Sequence, residues 1–405
     1  MTDTRFGSEL RRLREEAGLS LARLAQKIHY SKGHLSKIER GDKQPPPQLA
    51  RLCDTALNAN GRLTALAAPQ GEGVRRRAAV RAGTASVLVA SMAGADPAPA
   101  AAATSATPEE GASLTFLRSL FDQFRQLGQV AGPRAVLPAL TAQTRAVTDQ
   151  ANRTGEPVRR GLLLLGSRYA EFTGWMAQEA GDSDSAQRWT DHAVGLAEAG
   201  GDHDLAHYAL VRRALITMYA GDADATITLA RAAQHSSAPP RIRGLAAVRE
   251  AQGHALDGNE TACRRSLDRA RDLLSRDPGD SPAPVIGTSN VGDPAAMAEG
   301  WCLYDLGRPA EAAAVLDHQL GRLGTGAMRS RARFGIRRAL AHATAGEIDH
   351  ACAVTDALLR SVDVVDSATI GTDLRRLHRE LNRFATHGAV RELSPRITAS
   401  LRPAG

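Results

Sequence analysis

Leu19-Ser20-Leu21-Ala22-Arg23-Leu24-Ala25-Gln26-Lys27-Ile28-His29-Tyr30-Ser31-Lys32-Gly33-His34-Leu35-Ser36-Lys37-Ile38-Glu39-Arg40-Gly41 decides how this chain folds. The stretch reads as two short helices joined by a tight turn. Ser20 caps the first, whose inner face carries Leu21, Leu24, Ala25 and Ile28. Position 23, where a capping box would want Glu or Gln, holds Arg23. Ser31 caps the second helix, Leu35 and Ile38 are its buried positions, and Gly41 ends it. Upstream, Phe6, Leu10, Leu13 and Ala17 recur at helical spacing, and Gly18 stops that helix. Downstream, Pro47 starts a fourth helix through Leu49, Leu52 and Leu57, and residues 61–68 form a fifth.

The charge distribution singles out the same region. Only four lysines occur in 405 residues, and all lie in or beside this stretch: Lys27, Lys32, Lys37 and Lys43. Residues 1–77 carry 15 Lys+Arg against 8 Asp+Glu, and residues 78–405 carry 36 of each. The whole formal charge of +7 therefore sits on the first fifth of the chain. A localised basic domain is the electrostatic footprint of polyanion binding.

The run Ser31-x-x-x-Leu35-Ser36-x-Ile38-Glu39-x-Gly41 resembles the Cro/repressor-type (XRE) helix-turn-helix over about residues 5–68. The resemblance implies a five-helix, lambda-repressor-like domain whose third helix enters the major groove of double-stranded DNA. Carried over by position, Lys32, Gly33, Ser36 and Lys37 face base edges, with His34 nearby. Ser20, Arg40 and Lys43 contact phosphates. Arg14 and Glu39 match a structural ion pair joining the first helix to the recognition helix. Two positions depart from the pattern. His29 stands where the family has a turn glycine, so a left-handed conformation is expected of it at some cost. Lys32 and Gly33 stand where phage repressors use base-reading glutamines, so the operator sequence does not follow from these residues.

Residues 69–112 read as a linker, opening at Pro69, passing through Arg75-Arg76-Arg77 and closing in an Ala/Pro/Thr/Ser tract from Pro97 to Pro108. The arginines precede an apolar run at residues 78–95 that is too short and too weakly hydrophobic for a membrane span or export signal.

From residue 113 to 405 the pattern is helical throughout. Gly181, Gly221, Gly258, Gly307 and Gly346 punctuate it at spacings of 40, 37, 49 and 39 residues. Ala186, Ala225, Ala262, Ala312 and Ala351 follow four or five positions later. Each unit reads as helix, tight turn, helix, with alanine at the crossing, and the fixed period implies a solenoid. The longest interval contains an extra loop, Asp277 to Pro294. The pattern resembles degenerate tetratricopeptide (TPR) repeats over about 160–360, with a leading helical pair at 113–155 and a capping one at 370–401. Residues 169–175 and 187–189 resemble segments of the actinobacterial XRE–TPR regulators. Such arrays offer a concave surface to extended peptides or protein segments. Peptide receptors of related architecture clamp the peptide backbone with asparagines on inner helices. This chain has six asparagines, of which Asn152 and Asn382 fall in helices, so that signature is missing. Trp175 and Trp189 read as packing between repeats.

Enzyme chemistry finds little support. With no lysine after Lys43, the repeats can hold neither a P-loop lysine nor a Schiff-base lysine, and no G-x-S-x-G or G-x-G-x-x-G motif occurs at the required place. His203-Asp204-Leu205-Ala206-His207 places two histidines on one helix face, but no third ligand follows. The better reading is a polar first turn with Asp202 or Asp204 at the helix N-terminus. Cys53, Cys263, Cys302 and Cys352 are widely spaced in apolar contexts and read as reduced, buried thiols.

The expectation is an all-α protein with a DNA-binding domain at 1–68, a linker at 69–112 and a repeat domain at 113–405. It is a cytoplasmic, dimeric, sequence-specific transcriptional regulator, with no membrane segment, no catalytic site, and no metal or other cofactor. Its repeats answer to a protein, peptide or small-molecule effector whose binding residues the sequence leaves open. The competing expectation is an interaction scaffold in which DNA contact is incidental.

Overall fold

A computed structural model describes residues 4–67, 108–234, 237–277, 286–288 and 290–402, leaving most of the expected linker outside the described residues. Among the described residues the chain is all-α, with no strand.

Five helices form the N-terminal domain: α1 (Thr4–Glu16), α2 (Leu21–Lys27), α3 (Lys32–Glu39), α4 (Pro47–Leu57) and α5 (Arg62–Ala67). Their core is a single cluster holding Phe6, Leu10, Leu24, Leu35, Ile38, Leu49 and Leu63, each under 3% exposed. The two serine caps hold: Ser20 Oγ accepts from the Arg23 amide and Ser31 Oγ from the His34 amide, each at 3.2 Å. His29 adopts φ 53°, the left-handed turn demanded of it. A cap that the sequence did not reveal is Asp54, buried in α4. It accepts from the Leu63 and Thr64 amides at 2.9 and 2.8 Å and so fixes the start of α5.

The second region begins with α6 (Pro108–Val130), so residues 108–112 are helical rather than linker. Then follow α7 (Pro133–Arg153), α8 (Val158–Glu179), α9 (Ser183–Ala199), α10 (Asp204–Tyr219), α11 (Ala223–Gln234), α12 (Pro240–Leu256) and α13 (Glu260–Ser275). The chain ends with α14 (Pro294–Asp305), α15 (Pro309–Gly321), α16 (Met328–Thr344), α17 (Ile348–Val365), α18 (Ala368–Leu381) and α19 (Gly388–Ser400). Helices pair as α8–α9, α10–α11, α12–α13, α14–α15 and α16–α17; the first helices of successive pairs also touch from α10 to α16, and α8 meets α10 through Glu171 and Arg212 at 3.5 Å. Each pair turns on one of the five spaced glycines, all with φ between 75° and 87°. Ala186, Ala262, Ala312 and Ala351 are buried at the crossings. In the second pair the buried position shifts by one, from the half-buried Ala225 to Thr226.

The array closes on itself. Helix α6 touches α16 and α17, and α8 touches α18. Arg329 of α16 is the clasp. It donates to the Gly128 and Ala131 carbonyls at the end of α6 at 2.7 and 2.6 Å, to Val365 O at 3.0 Å, and to Glu179 of α8 at 2.9 Å. Glu179 also accepts from Arg333, from Ser367 at 2.7 Å and from Thr369 at 3.1 Å. The face expected to be an open concave groove is therefore walled in by α6, α8, α10, α12, α14 and α16.

Candidate nucleic-acid interface

The interface is built on α3. Leu35 and Ile38 point into the core, so the helix can present only its opposite side. On that side Lys32, Gly33 and Lys37 are exposed, and a Cβ added at Gly33 would meet nothing within 4 Å. Ser20 and Lys43 are also exposed. Ser36 is half-buried and accepts from Arg40 Nη1 at 3.3 Å, while Arg40 Nε bonds Asp42 at 2.9 Å. His34 stands apart from this group. Its ring is half-buried and meets Tyr30 edge-on at 5.4 Å, and its Nε2 is buried without a hydrogen-bond partner. Burial lowers its pKa, and the charges of Lys43, Arg383 and Lys37 lower it further. Lys27 serves the fold: its Nζ donates to the Ala56 carbonyl at 2.9 Å.

The orientation of α3 is set from behind. Arg14 Nε and Nη2 donate to the two oxygens of Glu39 at 2.7 and 3.2 Å, and Arg14 Nη1 donates to Leu19 O at 2.9 Å. Both side chains are about 10% exposed. The Glu39 carboxylate raises the Arg14 pKa against the desolvation that opposes it. Gly7 lets α1 approach the end of α3; a Cβ there would lie 2.5 Å from the Ile38 and Glu39 carbonyl oxygens.

The N-terminal domain docks on the glycine turns of the repeat array, an arrangement with no signature in local sequence. Gly61 meets the Gly258 turn. Arg51 Nη1 donates to Asp305 at 3.3 Å, and Thr55 Oγ1 to Leu306 O at 2.7 Å, beside Gly307. The His29 ring lies against Gly346. Arg383 donates to His29 O and stacks over Tyr30 at 3.5 Å from the ring centroid. The departure at position 29 thus has a use: its side chain fills the contact that glycine would leave empty. Lys32, Lys37 and Lys43 remain exposed in the docked arrangement.

His203 and His207 join no metal-ligating group among the described residues. Asp202 accepts from the Asp204 amide at 2.9 Å, as a polar first turn requires, and also pairs with Arg168 at 2.7 Å. The one group with ligand spacing among the described residues is Asp317, His342 and His350. Arg338 already donates to Asp317 and lies 3.3 Å from His350, which makes this an ion-pair cluster. All four cysteines are buried and unbridged. Trp189 packs at the α8–α9 crossing against Gly174. Trp175 lines the space inside the ring.

A family model, that of a helix-turn-helix domain, matches residues 5–67. The N-terminal domain is a helix-turn-helix domain, a DNA-binding class, and its five helices fill the matched segment. No curated protein and no solved structure matches the chain. No helix among the described residues is long and apolar enough to cross a membrane.

Proposed function

We propose that this chain is a cytoplasmic transcriptional regulator of the XRE kind. Its N-terminal domain reads an operator, and its TPR-like repeats control that domain in response to an effector. The observation that carries the reading is the solvent-facing row Lys32, Gly33 and Lys37 on a helix locked from behind by Arg14 and Glu39. That row lies on the domain holding the whole net charge. Arginines and lysines around it displace counterions from the duplex, and this sequence-independent term sets nonspecific affinity. Lys32, Ser36 and Lys37 act at base edges, where lysine favours the guanine acceptors. Ser20, Arg40 and Lys43 hold phosphates, Arg40 exchanging Asp42 for one. Two copies bind paired half-sites, because one such domain spans too few base pairs for high specificity.

The test begins with immunoprecipitation of the tagged native protein and sequencing of the bound DNA. Gel-shift titrations on the recovered site then compare Lys37→Ala with Lys43→Ala. Lys37→Ala weakens operator binding about tenfold more than nonspecific binding, as loss of a base contact does. Lys43→Ala weakens both by a similar factor and flattens the salt dependence by about one unit of slope. Equal losses for the two variants remove the assignment.

A further inference from the structure

Closing the repeat array leaves a cavity of about 180 Å³ inside the ring, lined by the first helix of each pair and by part of the loop before α14. Its walls are aromatic and apolar: Phe172 and Trp175 from α8, Tyr208 from α10, Met297 and Trp301 from α14, and Phe334 from α16. Into this lining the fold places arginines in excess of acids. Arg168 is matched by Asp202, Arg212 by Glu171 at 3.5 Å, and Arg329 and Arg333 share Glu179. Arg249 has no carboxylate among the described residues. Its Nη1 bonds the neutral Gln252 at 2.5 Å, and its Nε is buried without an acceptor. Arg212, 3% exposed, has Nη2 without a hydrogen-bond partner, and its Nε meets Glu171 only at 3.5 Å, without a hydrogen bond. Burial pulls the Arg249 pKa down to about 10, as expected of a cation with no anion beside it.

Buried guanidinium N–H groups without acceptors are costly, and natural folds rarely keep them without a purpose. A planar fork of donors among aromatic walls matches a carboxylate or phosphate attached to a flat ring. The volume suits a body of one or two rings, since benzene occupies an engineered cavity of about 150 Å³. The clasp at Arg329 and Glu179 removes the open groove that an extended peptide would need.

The cavity also touches the docking surface through its wall. The Arg337 guanidinium stacks on Trp301 at 3.3 Å from the ring centroid. Arg337 is held by Asp373 at 3.0 Å and lies 3.8 Å from Asp305, the acid that receives Arg51 of the DNA-binding domain.

We propose that this cavity is the effector site, taking a small organic anion with a planar one- or two-ring body held by Arg212 and Arg249, and that occupancy reaches the DNA-binding domain through Trp301, Arg337 and Asp305. The second half rests on the regulator reading above; the first stands without it.

Calorimetric titration of the full chain with benzoate, 1-naphthylacetate and the neutral 1-naphthylacetamide tests the site. At least one acid binds, and naphthylacetate binds about tenfold or more tighter than its amide. Arg249→Met removes about tenfold of the affinity for that acid and leaves the amide unchanged. Should Arg249→Met fail to fold, the acid–amide comparison on the native chain still decides. Equal binding of acid and amide, or no binding of either acid up to about 5 mM, overturns the site. Gel shifts on the recovered operator, with and without a binding acid, separate the two claims. An acid that binds but leaves operator affinity unchanged overturns the coupling and keeps the site. Specific operator binding by a chain that takes no acid overturns the site and keeps the DNA reading.

Discussion

Arg14 and Glu39 show what a single buried pair does for a recognition helix. Each is nearly excluded from water, and the only other carboxylate beside Arg14 among the described residues is the half-exposed Glu15 at 3.4 Å. Truncating one member leaves the other desolvated and unmatched, at a cost of about 3–5 kcal/mol. Arg14→Ala should therefore deprotect the amides of α1 and α3 in hydrogen exchange, while Arg14→Met combined with Glu39→Leu recovers most of the protection. Neutral behaviour of Arg14→Ala alone would contradict a buried pair. Both residues were expected from the sequence, because the resemblance to the repressor-type helix-turn-helix carries a structural ion pair onto their positions. His34 was not legible in the same way. Its position in the motif puts it beside the bases, yet the ring packs half-buried against Tyr30, over which Arg383 stacks. Tyr30 is a near neighbour, but the charge of Arg383 comes from 349 positions away.

Among elements, the glycine turns do two jobs. All five close a helix pair through a positive φ, which an L side chain adopts at about 1–2 kcal/mol. Three of them, Gly258, Gly307 and Gly346, also receive the DNA-binding domain. The two jobs separate by substitution. Gly221→Ala meets no neighbour and suffers backbone strain alone, whereas a Cβ at Gly307 would lie 2.5 Å from the Arg51 carbonyl oxygen. Gly307→Ala should loosen docking, seen as faster protease cleavage between the two regions and a larger radius in small-angle scattering. Gly221→Ala should lower the melting temperature without either change. Similar scattering from both variants would count against the docked arrangement. The repeat spacing was plain in the sequence because a left-handed turn leaves a glycine behind. Which turns carry a second surface was not, since nothing within a repeat distinguishes Gly307 from Gly221.

In the whole molecule, closure of the ring depends on Glu179. Burial alone would raise its pKa, but Arg333 and Arg329 outweigh that and hold it at about 2, below the ordinary 4.5. A folded-state pKa below the unfolded one contributes stability above the unfolded value, and that contribution fades as pH falls towards the folded value. The difference in melting temperature between the native chain and Glu179→Gln should therefore be full at neutral pH. It should shrink as the pH drops from 4.5 towards 2. A difference that stays constant down to about pH 3 would show that Glu179 does not close the ring as a carboxylate.

The sequence by itself determined the local structure: which segments are helical, where serine caps and glycine turns fall, and which end of the chain carries the charge. Those features depend on neighbours a few residues away, through hydrogen bonds and steric limits that every copy of the pattern repeats. The tertiary structure decided the rest. Repeat curvature accumulates from small rotations per pair, so no single repeat encodes that α6 meets α16. Arg329, Arg249 and Trp301 look like ordinary helix residues until closure turns them inward. The docking of Arg51, Tyr30 and His29 on distant turns depends on the same long-range geometry.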